Sequence, residues 1–94
     1  MREKHIENKI KRHLKEIGAY YVKFHATGFS RSGVPDILVC IRGRFVAIEV
    51  KQEKGVVSAL QEAHQRQIIA AGGVAIIAWS FEGYLQALKH AELI

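Results

Sequence analysis

Two carboxylates and a lysine carry the chemistry of this chain. Asp36 is its only aspartate and follows its only proline, Pro35, and Glu49 and Lys51 flank Val50 further along. Hydrolysis of a phosphodiester calls for such a set. Carboxylate oxygens hold a hard divalent cation, and an ammonium stabilises the negative charge that develops on the phosphate. Each half alone has an ordinary use, since Asp after Pro commonly opens a turn or strand and Glu-x-Lys on a strand is usually a solvated pair. What gives them meaning together is whether the chain brings them to one place.

The surrounding sequence supplies a device that would. Pro35 to Ile41 reads as a strand, with proline at its first position, where a missing N–H is tolerated. Arg42-Gly43-Arg44 reads as a tight turn, and Phe45 to Lys51 as the returning strand of a hairpin. Alternation along that strand puts Phe45, Ala47, Glu49 and Lys51 on one face and Val46, Ile48 and Val50 on the other. Pairing across Gly43 then sets the region of Asp36 beside Glu49 and Lys51, so one carboxylate from each arm can converge on one cation.

Helices and further strands complete the frame. Ile6, Ile10, Leu14 and Ile17 recur at helical spacing, and Gly18 is placed to end that helix. Ala19 to His25 reads as a strand and Thr27 to Gly33 as a loop. Ser58 is the expected N-cap of a second helix, with a Glu, Glu62, one position beyond a strict capping box, and the helix ends at Gly72-Gly73. Val74 to Trp79 is apolar throughout and reads as a central strand buried on both faces. Phe81 to Ala91 reads as a closing helix. The order αβββαβα, with a mixed sheet, makes this an α/β protein, and residues 1–94 are expected to form one domain.

Bulk properties exclude some functions. The longest apolar runs are strand-sized and the N-terminus lacks an apolar leader, so neither a membrane span nor secretion is expected, and a cytoplasmic setting is. Cys40, alone in an apolar run, reads as a buried reduced thiol. The five histidines have no partner at metal-ligand spacing, and no glycine-rich strand–helix junction offers a phosphate cradle for an organic cofactor. The net charge of +5 and pI of about 9.6 permit a nucleic-acid partner without proving one.

Pro35-Asp36…Glu49-Val50-Lys51 between amphipathic helices resembles the PD-(D/E)XK nucleases. Within that superfamily the chain looks most like the virus-type replication-repair nuclease (VRR-NUC) family. The matching stretches are Gly33 to Leu38, Ile48 to Lys51, Ser58-x-x-Gln61, and Gly72-Gly73 before an apolar strand. The resemblance implies a restriction-endonuclease-like core, αβββαβ, with the last helix as an addition. It also implies a metal-dependent nuclease in which Asp36, Glu49 and the Val50 carbonyl ligate Mg²⁺ or Mn²⁺. Lys51 would orient the attacking water, and Gln61 would hold that water or a phosphate. The superfamily often has a metal-directed Glu in the first helix; Glu7 is favoured for it, with Glu3 as a competing alignment.

Near the site, Lys23, His25 and Arg31 on one side and Lys54 and Ser58 on the other could contact a phosphate strand. Small single-domain members of the family, from phage and bacteria, resemble Holliday-junction resolvases. The expected partner is therefore branched or junction DNA, cut by a homodimer whose two-fold axis relates two active sites. The interface is expected from Trp79, Phe81, Tyr84 and Leu88 or from the first helix. Alternatives are a flap- or fork-specific nuclease, a nuclease acting on RNA, and a non-catalytic nucleic-acid-binding domain.

Overall fold

A computed structural model of the chain describes residues 2–25 and 32–94. The elements follow the expected order: α1 (Glu3–Glu16), β1 (Tyr20–Lys23), β2 (Ile37–Ile41), β3 (Arg44–Val50), α2 (Ala59–Ala70), β4 (Val74–Ala78) and α3 (Phe81–His90). The hairpin closes through Arg42 and Gly43, with φ of 48° and 82°. Two successive positive φ values are the signature of the two-residue turn whose twist matches paired strands, and they fix the register Ile41 to Arg44.

The four strands lie in the order β1-β2-β3-β4, antiparallel except for the parallel pair β3 and β4. This corrects the expectation for Val74 to Trp79. β4 is an edge strand, and β3 has a neighbour on each side. The apolar run in β4 arises because helices flank it, with both α2 and α3 packed against it.

Ile6, Ile10 and Leu14 of α1 are completely buried and meet Ile37, Val46 and Ile48 of the sheet, with Tyr84 and Leu88 of α3. Each such aliphatic side chain contributes about 1.5–3 kcal/mol relative to leaving it in water. Ile17 is not part of this stripe; it is the C-cap and is 39% exposed. Tyr84 and Leu88 are fully buried within the chain, which removes them from any interface between copies. Tyr84 keeps one polar contact, its hydroxyl lying 2.7 Å from His13 Nδ1.

The opposite sheet face is less covered. α2 lies over part of it yet buries none of its own residues completely. Beyond α2, Tyr20, Val22, Leu38, Cys40 and Phe45 share an open apolar face. Cys40 is exposed there, contrary to the expectation of a buried thiol. Its strand is apolar at every position, so composition could not say which side chains turn outward.

Candidate active site

The side chains expected to form the site collect at one end of the sheet, where β1 and β3 end, β2 begins, and α2 starts. The register pairs Ile37 with Ile48, which leaves Asp36 next to Glu49 one step further along. Asp36 Oδ2 accepts a hydrogen bond from the Val50 N–H at 2.8 Å. The backbone of Asp36 is held as well, its carbonyl accepting from the Phe24 N–H at 2.8 Å.

The segment leading into Asp36 is fixed from below by α2. Gly33 has φ of 82°, and a Cβ there would fall 2.7 Å from the Leu60 carbonyl carbon. Only glycine permits both the backbone angle and that close approach. A hydrogen bond of 2.9 Å between His64 Nε2 and the Ser32 carbonyl ties the same segment to α2.

Glu49 is 4% exposed. Its Oε2 accepts from Gln61 Nε2 at 2.9 Å, while its Oε1 is buried with no hydrogen-bond partner among the described residues. Burial, reinforced by the negative charge of Asp36, pushes its carboxyl up to about 7, against the opposing pull of the Lys51 ammonium. A buried carboxylate oxygen without a donor is costly, and like charges side by side add to that cost. A divalent cation would relieve both. The donor set, two carboxylates with backbone oxygen nearby, suits a hard cation. These residues therefore fit the cation that the nuclease motif implies.

Gln61 does two things at once. With Ser58 it forms a full capping box: the Gln61 N–H donates to Ser58 Oγ at 3.1 Å, and Gln61 Oε1 accepts from the Ser58 N–H at 2.9 Å. Because the amide oxygen is committed to the cap, the amide nitrogen is turned toward Glu49. The capping partner is thus Gln61 at the third helical position, and not the Glu62 that follows it. The Ser-x-x-Gln pattern was the available signal, since Gln serves in a capping box as Glu does.

The third acid sits in different company. Glu7, only 6% exposed, accepts a 2.9 Å hydrogen bond from Lys23 Nζ at its Oε1. Its Oε2 lies 3.1 Å from Lys11 Nζ and 3.7 Å from Lys4 Nζ, ionic contacts that do not meet hydrogen-bond geometry. Burial raises the Glu7 carboxyl, but the ammonium groups of Lys23 and Lys11 outweigh it and hold it below the ordinary range. Lys23 also approaches Asp36 Oδ1 at 3.7 Å. Burial lowers the Lys23 ammonium, and the two carboxylates more than reverse this. Among the described residues, no three His, Cys, Asp or Glu side chains converge as a metal-holding group.

Of the other expected contacts, His25 and Lys54 are exposed, and the Ser58 side chain is engaged in its cap. Glu3 is exposed in the first turn of α1. Arg31 lies outside the described residues. Lys51 is half-buried and takes part in none of the ion pairs among the described residues. No helix is long and apolar enough to cross a membrane among the residues described.

A family model for archaeal Holliday junction resolvases (hjc) matches residues 1–94. Among solved structures, a VRR_NUC domain is similar with a TM-score of 0.75 and 27% sequence identity, over 96% of this chain and 94% of that one. A second is Hjc, a Holliday junction resolvase from the archaeal hyperthermophile Archaeoglobus fulgidus, with a TM-score of 0.61 and 24% identity, over 80% of this chain and 65% of that one. That likeness is one of fold. No curated protein matches the sequence. The restriction-endonuclease-like core expected from the motif is the fold found, a four-stranded mixed sheet between helices.

Proposed function

The chain belongs to the archaeal Holliday junction resolvase family, and from that premise we propose that it resolves four-way DNA junctions as a homodimer using Mg²⁺ or Mn²⁺. It is a structure-specific DNA endonuclease. The observation that supports the metal site is the matched state of the two carboxylates. Each has one oxygen committed, Asp36 Oδ2 to the Val50 N–H and Glu49 Oε2 to Gln61. Among the described residues the other oxygen of Glu49 has no hydrogen-bond partner and that of Asp36 has only the Lys23 ammonium at 3.7 Å, and the Val50 carbonyl would add a backbone oxygen.

When bound, the cation supplies a Lewis acid that activates water and offsets charge on the phosphate. The protein's share is positional and electrostatic. The hydrogen bond from Val50 fixes Asp36, and the hydrogen bond from Gln61 fixes Glu49, so neither must be ordered when substrate arrives. Lys51, whose charge is felt by Glu49, would orient the attacking water and stabilise the phosphate's developing negative charge. With its oxygen committed to the cap, Gln61 acts through Glu49. His25 and Lys54 would meet the phosphate backbone.

Two matched incisions across a junction require two sites related by a two-fold axis. The open apolar face of Tyr20, Val22 and Phe45 favours pairing of copies more than the C-terminal residues do, since Tyr84 and Leu88 are enclosed and Trp79 alone of the expected set is exposed, at 43%.

The test is incubation with a labelled four-way junction in Mg²⁺, in Mn²⁺ and in EDTA, beside Asp36→Ala and with flap and duplex controls. Symmetric paired nicks that need the cation and Asp36 are the expected result. Full cleavage by Asp36→Ala, or binding with no cleavage in any metal, would overturn the reading.

A further inference from the structure

Lys23 stands between the carboxylate of α1 and the carboxylate that opens β2. Its ammonium lies 2.9 Å from Glu7 Oε1 and 3.7 Å from Asp36 Oδ1, bridging a helix carboxylate and a strand carboxylate. The side chain is only 25% exposed. Glu7 is nearly enclosed, and Lys11 and Lys4 stand on its other oxygen. Three ammonium groups around one carboxylate leave that locality positively charged, and a divalent cation brought between Glu7 Oε1 and Asp36 would have to displace Lys23, the one of the three that stands on that side. Opposite charges at such distances in a partly buried site attract far more strongly than they do in water. At Glu49 the situation is reversed, because its Oε1 is buried with no donor among the described residues.

We propose that Lys23 is a resident cation, anchored by Glu7, that closes the Glu7 side of the site and limits it to one divalent ion per chain, held between Asp36 and Glu49. Glu7 is then a positioning residue for Lys23 and contributes no oxygen to the metal. This rests on the proposed cation site of Asp36 and Glu49 and specifies its stoichiometry. Lys23 also places a positive charge beside Asp36 before any metal arrives, which lessens the repulsion between Asp36 and Glu49 in the empty site.

The test is Mn²⁺ titration of the whole protein without DNA at pH 8, with free Mn²⁺ followed by electron paramagnetic resonance. Wild type is expected to bind one Mn²⁺ per chain. Lys23→Gln is expected to bind two, and the double variant Lys23→Gln/Glu7→Gln one again, because the second ion needs the Glu7 carboxylate. Glu7→Gln alone frees Lys23 to turn fully onto Asp36 and should weaken the single site several-fold. A role for Lys23 in folding alone would not change stoichiometry. Two ions on wild type, or one ion on a folded Lys23→Gln, overturn the inference and leave the Asp36–Glu49 site standing. If Lys23→Gln does not fold, the affinity of Glu7→Gln decides, and an unchanged value overturns it. No ion on wild type removes the cation site itself, and this inference with it.

Discussion

Asp36 is tied to Val50: the carboxylate that opens β2 accepts the N–H that lies between Glu49 and Lys51 on β3. One hydrogen bond thus locks the two halves of the motif in register, and it links a side chain to backbone, which few substitutions can reproduce.

Asp36→Asn separates the structural role from the electrostatic one. The amide oxygen can still accept from Val50, so the variant is expected to fold, with its melting temperature near that of wild type. The lost charge should reduce cation-dependent nicking at least ~100-fold. Because Asp36 helps to raise Glu49, the Glu49 carboxyl should also titrate lower in Asp36→Asn, as followed by carboxyl carbon NMR.

The raised Glu49 carboxyl gives a signed pH dependence. Between the ordinary value of 4.5 and about 7, the folded protein retains a proton that the unfolded chain has lost. Stability without metal should therefore fall as pH rises through that window. Glu49→Gln removes the effect and should be more stable than wild type at pH 8 in EDTA, by about 1–3 kcal/mol in denaturant unfolding. For wild type, apparent Mn²⁺ affinity should climb as pH passes about 7, since the proton must leave before the cation binds.

Gln61 and Ser58 can be told apart. Ser58→Ala loses the cap and should cost about 1 kcal/mol of stability. Gln61→Ala loses the reciprocal cap bond and also the donor to Glu49, so it should cost a comparable amount and reduce nicking by about 10–100-fold besides. Equal nicking rates in the two variants would show that the contact with Glu49 does not matter to the reaction.

Gly33→Ala meets two obstacles, a positive φ and the Leu60 backbone at 2.7 Å. A loss of about 1–3 kcal/mol is expected. Since the strain falls three residues before Asp36, nicking should drop even below the melting temperature.

Strand alternation and the hairpin are enough to bring Asp36, Glu49 and Lys51 together on paper, and the structure places Asp36 against Val50 as that pairing requires. Less could be read where the needed fact is tertiary. An all-apolar run such as Val74 to Ala78 looks the same in a central strand as in an edge strand flanked by helices, so the position of β4 had no sequence signal. Cys40 turned outward for a similar reason. The contact between Gln61 and Glu49 depends on where α2 begins relative to the end of β3, which no local pattern records. Lys23 reads as a candidate phosphate contact, and its place between two carboxylates shows only when Glu7 and Asp36 are seen on either side of it.

The uneven cover of the sheet has a consequence for order of disassembly. Glu49 belongs to β3, which has a strand on each side, while its partner Gln61 belongs to a helix that fully buries none of its residues. Elements with little buried apolar surface open locally at lower free energy than the core they rest on. Amide protons of α2 should then exchange with solvent well before those of β3. The grip on Glu49 would be released in each such excursion while the strand beneath stays shut, and a bound cation should slow the exchange of α2 more than that of any other element.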